Sequence, residues 1–202
     1  MERIVVFGST GKTGIAAVEA AVKKGLNVRA FVRDPSRLPD HLRNSVEVVK
    51  GDILNYIDVY NAIKDTTAVV SALGTGTDLG PTTVMSDGLK NIVKAMKELN
   101  VEIISICLSA FLFYEPTKVP PIFHNVTEDH IREYDVVKGS TLKYIAVSPP
   151  HIADMEDAEY VTKFNENPGR AISKHALGRF LVDCLTEPDR YGKMWGVCNK
   201  TQ

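Results

Sequence analysis

The sequence predicts a single-domain α/β fold in which helices cover both faces of a doubly wound parallel sheet. Three observations lead to this prediction. Short apolar segments alternate with amphipathic ones along most of the chain, as a series of βα units requires. The length of 202 residues suits one domain, here taken as residues 1–202. Parallel crossovers are right-handed, which favours the doubly wound strand order.

The apolar segments predict the strands, and helical spacing of apolar residues predicts the helices. The predicted strands are Ile4–Phe7, Val28–Val32, Val46–Val49, Ala68–Leu73, Val101–Cys107, Tyr144–Val147 and Met194–Cys198. The predicted helices are Gly14–Lys24, Ile53–Ile63, Val84–Leu99, Thr127–Val137 and Ile172–Leu185. Two segments, 111–123 and 149–169, break the pattern and are predicted to be irregular. Each follows the carboxyl end of a strand, where open α/β sheets bind ligands.

The composition excludes several classes of protein. With 24 Lys and Arg against 25 Asp and Glu, the net charge of −1 argues against a broad electrostatic grip on nucleic acid. No apolar run approaches the ~20 residues of a membrane span. Three cysteines form an odd and sparse set that argues for a reducing compartment. The strand pattern begins at once after Met1, which leaves no room for a signal peptide. We therefore expect a cytoplasmic protein with small-molecule partners, no membrane or nucleic-acid partner and no metal.

The first predicted strand runs into a glycine-rich turn of the form G-x-x-G-x-x-G. Glycines let the backbone turn tightly and approach a pyrophosphate, and the helix that follows offers unpaired N–H groups to the anion. The position at the first strand–helix junction is the context that such a motif needs. The sequence therefore predicts a dinucleotide site at Gly8, Thr10, Gly11, Lys12, Thr13 and Gly14, although a tight turn without a ligand gives the same pattern.

The end of the second strand predicts which dinucleotide binds. An NAD site usually places an acidic residue there, whereas an arginine suits the 2′-phosphate of NADP. Here Arg33 comes first, followed by Asp34, with Arg37 four residues after Arg33. Guanidinium groups match phosphate geometry, so NADPH is the predicted cofactor. Two alternatives remain: Asp34 faces the ribose, or Arg33 is a solvated surface charge.

Two further strand ends are predicted to contact the nucleotide. Asp52 and Ile53 follow the third strand, where a carboxylate can accept a hydrogen bond from the adenine amine. Asp52 is an equally good N-cap for the next helix. The small residues of Leu73-Gly74-Thr75 end the fourth strand and leave room for the ribose and phosphates.

Gly8–Gly14, Gly51-Asp52 and Leu73-Gly74 together resemble the atypical branch of the short-chain dehydrogenase superfamily. Six further segments, in order along nearly the whole chain, resemble the biliverdin IXβ reductases, also called NADPH-dependent flavin reductases. These segments are Asp78–Ser86, Ser109–Leu112, Pro116–Pro121, Asp129–Arg132, Pro149–Ile152 and Ile172–His175.

This resemblance implies a monomeric, Rossmann-like enzyme of heme degradation. It would pass a hydride from NADPH to FMN, to FAD and to biliverdin IXβ, which becomes bilirubin IXβ. The resemblance also implies site residues. Ser109 and His151 would be catalytic, and Ser109, Phe111, His130 and His151 would contact the substrate. His130, Pro149, His151 and Ile152 would contact the cofactor.

Several of these assignments have alternatives in the sequence itself. Ser109 is a candidate proton relay, but its hydroxyl can also serve the backbone, and water can supply the proton. His130 lies on a predicted helix, where a surface or core role is as plausible as binding. His151 follows two prolines whose turn aims it outward.

Two other functions fit parts of the chain. Tyr134 and Lys138 match Y-x-x-x-K, and Ser109 lies about two dozen residues upstream, as in carbonyl-reducing short-chain dehydrogenases. A tyrosine packed on the sheet beside a solvated lysine gives the same match. The third possibility is a protein that binds NADP(H) without chemistry and reports redox state to a partner.

Overall fold

A computed structural model of the protein describes residues 3–200, so Met1, Glu2, Thr201 and Gln202 lie outside the described residues. Six strands in the first three-quarters of the chain pair with one another in parallel. They are β1 (Arg3–Phe7), β2 (Asn27–Val32), β3 (Glu47–Lys50), β4 (Ala68–Ser71), β5 (Ile103–Cys107) and β6 (Lys143–Ser148). The later strands are β7 (His151–Ala153), β8 (Tyr160–Phe164), β9 (Ala171–Ser173) and β10 (Lys193–Asn199).

The strand order of the main sheet is β3-β2-β1-β4-β5-β6-β10-β8. The chain starts near the middle with β1, moves outward to β3, and then returns to β4 on the other side of β1. This reversal confirms the doubly wound, Rossmann-like arrangement and creates a crevice at the carboxyl ends of β1 and β4. β10 pairs with β6 in parallel. β8 pairs with β10 in antiparallel orientation and is the edge strand on that side. β7 and β9 form a separate small sheet.

Helices cover both faces of the sheet, as predicted. They are α1 (Lys12–Lys23), α2 (Asp40–Arg43), α3 (Tyr56–Ile63), α4 (Val84–Glu98), α5 (His124–Lys138) and α6 (Lys174–Asp183). One buried cluster joins α1 and α6 to the sheet, and another joins α3, α4 and α5 to the opposite face. The backbone of α6 reaches α1, since a Cβ on Gly178 would lie 2.4 Å from a carbonyl carbon of α1. Within residues 3–200, none of the helices is both long and apolar enough to span a membrane.

Several boundaries differ from the sequence-based expectation, among them the start of α3 at Tyr56, not Ile53, and that of α5 at His124, not Thr127. The segment 149–169 is not wholly irregular, because it contains β7 and β8. β8 was missed because it is an edge strand whose Val161 and Phe164 are exposed, so it lacks a buried apolar pattern. The last helix begins at Lys174, since Ile172 belongs to β9 and Ser173 caps the helix. The segment 111–123 is neither helix nor strand, as predicted, and consists largely of short 3₁₀ turns.

Candidate cofactor and substrate site

The first strand–helix junction contains two glycines that the fold itself requires. Gly8 has a φ of +75°, and a Cβ on it would lie 2.2 Å from the carbonyl oxygen of Ala72. A Cβ on Gly14 would lie 2.0 Å from the carbonyl oxygen of Gly8. The buried Ser9 hydroxyl donates to the carbonyl oxygen of Phe31 over 2.8 Å and ties this turn to β2. Packing alone therefore explains Gly8 and Gly14.

Packing does not explain the middle glycine. Gly11 has φ −82° and ψ 164°, which any residue adopts, and a Cβ there would meet only one atom, at 3.4 Å. Gly11 is exposed and is the N-cap of α1, and no side chain caps that helix end. The helix N-terminus is thus bare and open at the position where a pyrophosphate would lie. Lys12 is exposed beside it, and Thr10 and Thr13 are half-buried.

The residues after β2 form a cationic patch. Arg33 and Arg37 are exposed, and neither forms a salt bridge within residues 3–200, unlike Arg29 and Arg43, which pair with carboxylates. One carboxylate oxygen of Asp34 is already engaged in hydrogen bonds. Its Oδ1 accepts from the backbone N–H and the hydroxyl of Ser36, over 2.9 and 2.7 Å, and these bonds lower the pKa of Asp34. The guanidinium groups of Arg33 and Arg37 are therefore open to an anionic ligand, and Oδ1 of Asp34 is engaged within its own turn.

A third cation, which the sequence pattern does not predict, lies beside this patch. Lys50 ends β3 and pairs in register with Val32, the residue before Arg33. It is exposed, and its charge, like that of Arg37, contributes to the lowered pKa of Asp34. The available signal was the position of Lys50 directly before Gly51-Asp52. We call Arg33, Arg37 and Lys50 the β2-end cation cluster.

Some of the predicted site residues at the ends of β3 and β4 are accessible to a ligand. Asp52 is not the N-cap of α3, because Asn55 has that role. Oδ1 of Asp52 accepts from the backbone N–H of Leu54 over 2.9 Å, and the residue is exposed. Ile53 is only 7% exposed and packs against α4, so it offers little surface to a ligand. After β4, Gly74 has open space where a Cβ would be, and Leu73 and Thr75 are half-buried.

Backbone hydrogen bonds join the two loops after β5 and β6. The N–H of Ala110 donates to the carbonyl oxygen of Pro149 over 2.8 Å. Ser109 is half-buried, and its Oγ accepts from the backbone N–H of Phe111 over 3.2 Å. The hydroxyl proton of Ser109 is therefore not used in that bond and remains available to donate. His151 is exposed at the start of β7, and Ile152 is half-buried.

The aromatic side chain of Phe111 is packed on one side. Its ring centroid lies 5.3 Å from that of Phe123 and 5.8 Å from that of Tyr114. A cavity of about 160 Å³ lies between this segment and α5, lined by Phe111, Leu112, Tyr114, Val119, His124 and Ile131. It is smaller than the ~300 Å³ of ordinary ligand pockets and includes neither Ser109 nor His151. A flat ligand would have to lie across the open rim and not within this cavity.

His130 forms a pair with Glu133, a residue that is not among the predicted site residues. Its Nδ1 lies 2.8 Å from Oε2 of Glu133, one helical turn along α5. The side chain of His130 is 11% exposed and that of Glu133 is 1% exposed. Burial raises the pKa of Glu133, whereas the hydrogen bond to His130 opposes this shift. The i,i+3 spacing was visible in the sequence, but burial of the glutamate was not.

Tyr134 and Lys138 do not meet Ser109. The ring of Tyr134 lies 6.3 Å from that of Tyr144, edge to face, and Lys138 Nζ lies 5.6 Å from the Tyr134 ring. Burial and the neighbouring Tyr134 raise the pKa of Tyr144 to about 12. Tyr144 pairs with Ile104 near the amino end of β5, whereas Ser109 follows its carboxyl end. At about 3.3 Å per residue this separates the two regions by roughly 10 Å along the sheet.

Comparison with known proteins agrees with this geometry. Residues 8–188 match the model of a family described as NAD(P)H-binding. A 3-beta-hydroxysteroid dehydrogenase of Mycolicibacterium neoaurum is 32% identical over 111 residues. That match covers 50% of this chain and 30% of the relative, so the chain aligns with less than a third of the relative's length.

Solved structures show the same fold at low identity. A Rossmann-fold NAD(P)-binding family protein of Shigella flexneri has a TM-score of 0.77 at 20% identity, covering 100% of this chain and 98% of that one. The oxidoreductase ylbE of Lactococcus lactis has a TM-score of 0.82 at 15% identity, covering 99% and 92%. A short-chain dehydrogenase/reductase of Veillonella parvula, solved in complex with NADP, has a TM-score of 0.79 at 16% identity, covering 98% and 94%.

Proposed function

The chain belongs to the NAD(P)H-binding family, and we propose that it is an NADPH-dependent reductase of flavins and of biliverdin IXβ. The family and the named relative support the coarser statement, an NAD(P)H-dependent oxidoreductase. One observation carries the proposal. At a single edge of the sheet lie the open space over Gly11, the β2-end cation cluster, and Ser109 in a loop bonded to Pro149.

The β2-end cation cluster supports NADPH over NADH. A 2′-phosphate carries the charge that distinguishes the two nucleotides, and charge-assisted bonds to guanidinium groups are the strongest available to it. Arg33 and Arg37 form no salt bridge within residues 3–200, and Oδ1 of Asp34 is held by Ser36. Lys50 adds a compact charge beside them. Asp52 keeps an exposed carboxylate for the adenine amine.

Bound NADPH supplies the hydride, so the protein has to bind, orient and shield the reactants. The bond between Ala110 and Pro149 holds Ser109 at a fixed place on the rim. Its oxygen already accepts from Phe111, which leaves the O–H to donate to a substrate heteroatom. His151 is exposed at the same rim and contacts a flat, anionic substrate in this proposal. Phe111 contributes an apolar edge.

A carbonyl dehydrogenase is the second candidate, because the named relative is a 3-beta-hydroxysteroid dehydrogenase. In that case Tyr134 would be the acid and Lys138 its partner. The contact of Tyr134 with Tyr144, far from Ser109, counts against this assignment. A binder without chemistry remains the third candidate.

An assay of NADPH oxidation separates the three candidates. The purified protein is given NADPH with FMN, with biliverdin IXβ, or with a panel of carbonyl compounds that includes a 3-ketosteroid, and the nicotinamide absorbance is followed. We expect oxidation with FMN and with biliverdin IXβ. Turnover only with carbonyls contradicts the proposal in favour of the dehydrogenase. NADPH binding with no turnover on any acceptor contradicts it in favour of the non-catalytic binder.

A further inference from the structure

The first turns of α1 and α6 lie side by side at the carboxyl edge of the sheet. Because β10 is parallel to β6, α6, which leads into β10, runs from the carboxyl edge to the amino edge, as α1 does. The two helices are in backbone contact, since a Cβ on Gly178 would lie 2.4 Å from the carbonyl carbon of Ala16. Each of these residues comes about one turn after the first residue of its helix. Those first residues, Lys12 and Lys174, therefore begin at the same level on adjacent helices.

The two lysines differ in their ion pairs. Lys12 follows Gly11 at the bare end of α1, is exposed, and forms no salt bridge within residues 3–200. The side chain of Lys174 is 26% exposed, and its Nζ lies 2.6 Å from Oδ1 of Asp154, the residue directly after β7. Of the two ammonium groups beside the glycine-rich turn, one is thus unpaired within that range and the other is neutralised by a carboxylate.

The carboxylate of Asp154 lies among three cations. The hydrogen bond to Lys174 and the charge of that lysine lower the pKa of Asp154, and Lys12 and His175 add smaller contributions in the same direction. Lys12 stands next to Gly11, so Asp154 lies within electrostatic range of the place where a pyrophosphate would bind. A negative charge at this point opposes the approach of an anion.

The pair between Asp154 and Lys174 is easily exchanged. The side chain of Asp154 is 69% exposed, and ion pairs as open as this contribute little to stability. A lysine has a flexible side chain with three donors, so Nζ can turn from a carboxylate to a phosphate oxygen without a shift of the helix. The N-terminus of α6 has no part in this exchange, because Oγ of Ser173 caps it and accepts from the N–H of His175 over 3.2 Å.

We propose that Lys174 is a second lysine of the pyrophosphate site and that Asp154 competes with the dinucleotide for it. When the dinucleotide binds, Lys174 exchanges the carboxylate of Asp154 for a phosphate oxygen. Asp154 therefore lowers the affinity of the protein for its cofactor. This inference rests on the proposed function, in which the pyrophosphate lies in front of Gly11, and it adds two residues from outside the glycine-rich turn.

A second ion pair between the same two segments provides a matched control. Oδ2 of Asp157 lies 2.5 Å from Nη1 of Arg179, and the side chain of Asp157 is 46% exposed. Arg179 comes more than one turn after Lys174 on α6, farther from the carboxyl edge. Asp157→Asn therefore removes the same charge from the same loop and breaks a similar pair, at a greater distance from Lys12.

The test measures the dissociation constants of NADPH and NADH by fluorescence titration at low salt. Asp154→Asn should tighten the binding of both nucleotides about two- to fivefold, because it frees Lys174 and removes a repulsive charge. Lys174→Met should weaken both about three- to tenfold, by the same factor, because the two nucleotides share the pyrophosphate. Asp157→Asn should leave both within about 1.5-fold of the wild type.

Two further variants separate competition from structural damage. In a Lys174→Met background, the gain from Asp154→Asn should shrink, because the lysine that it frees is absent. Lys174→Arg keeps the charge and should bind both nucleotides within about threefold of the wild type. A gain in affinity does not arise from a damaged fold, so the result for Asp154→Asn stands even where Lys174→Met is unstable.

Several outcomes overturn the inference and leave the proposed function intact. They are unchanged or weaker nucleotide binding by Asp154→Asn, an equal gain with Asp157→Asn, or an equal gain from Asp154→Asn in both backgrounds. A loss in Lys174→Met that is confined to NADPH overturns it as well, since the lysine would then serve the 2′-phosphate. A wild type that binds neither nucleotide overturns the proposed function, and this inference with it.

Discussion

The carboxyl edge of the sheet consists of two halves that are built differently. The half formed by β1 to β4 is fixed by close backbone contacts, such as that of Gly14 with Gly8, and leaves space at Gly11, Gly74 and Gly76. The half formed by the loops after β5 and β6 consists of 3₁₀ turns and two short strands, joined by bonds such as that between Ala110 and Pro149. We call these the nucleotide half and the substrate half.

The difference indicates how one fold combines the binding of a constant cofactor with the binding of a variable substrate. A dinucleotide always presents the same phosphates, so a rigid turn and a bare helix end suit it. Substrates vary, and loops accommodate them without disturbing the sheet. Substitutions of Gly11, Arg33 and Lys50 in the nucleotide half should therefore act through cofactor binding, and that of Ser109 in the substrate half through turnover.

Gly11→Val should abolish the function of the nucleotide half while the fold survives. The backbone of Gly11 accommodates a side chain, but the new methyl groups fill the space in front of α1. We expect NADPH affinity to fall at least about a hundredfold, the loss of more than one charge-assisted bond, with little change in melting temperature. Gly14→Ala is the contrast: its Cβ meets backbone at 2.0 Å, so stability should fall by about 1–3 kcal/mol or more. Normal NADPH binding by Gly11→Val would mean that the dinucleotide lies elsewhere.

Arg33→Ala should change cofactor choice. A charge-assisted contact with the 2′-phosphate is worth roughly 1.5–3 kcal/mol, so NADPH affinity should fall about ten- to a hundredfold. NADH lacks that phosphate and should bind as before, which makes it the internal control in the same titration. Equal losses for the two nucleotides, or none for either, would contradict the role of Arg33.

Lys50→Ala should also weaken NADPH binding, by a smaller factor than Arg33→Ala. The lysine ammonium is a point charge on a flexible side chain and lacks the planar, bidentate geometry of a guanidinium. We therefore expect about a three- to tenfold loss of NADPH affinity. The loss should shrink as salt rises, because the side chain is exposed. If Lys50→Ala weakens NADH as much as NADPH, Lys50 does not belong to the phosphate site.

Ser109→Ala should act on the substrate half alone. It removes the hydroxyl donor and leaves the loop joined to Pro149 through Ala110. We expect biliverdin IXβ reduction to slow by up to about tenfold, since water also delivers protons. The dissociation constant of NADPH, measured on the same samples, should stay the same. A large change in NADPH affinity would contradict the assignment of Ser109 to the substrate half.

Tyr134→Phe should have the smallest effect. It deletes only the hydroxyl of a ring that packs on Tyr144, away from the carboxyl edge. Turnover with FMN or biliverdin IXβ should stay within about threefold, less than 1 kcal/mol of barrier. Loss of a proton donor in carbonyl reduction would instead cost about a hundredfold or more. A loss of that size, with NADPH bound normally, would favour the dehydrogenase.

Local sequence features predict the strands, helices and turns of the nucleotide half. Strand periodicity, the glycine spacing and the arginine after β2 are local features, so apolar patterning and turn chemistry were enough to predict the order of strands and helices. Residues near one another in the chain, such as Gly8 and Gly14, also meet in space. The correct fold class follows from the same local signals, because alternating βα units admit few arrangements.

Features that depend on burial and on contacts between distant segments are visible only in the folded structure. Lys50 joins Arg33 because two strands pair in register, and the spacing along the chain does not show this. One carboxylate oxygen of Asp34 is held within its own turn, and the ring of Tyr134 packs on that of Tyr144 from a neighbouring strand. Glu133 looks like an ordinary helix glutamate until its side chain is found to be buried. The free energy of a charge depends on its surroundings, and those are set by the packing of the whole chain.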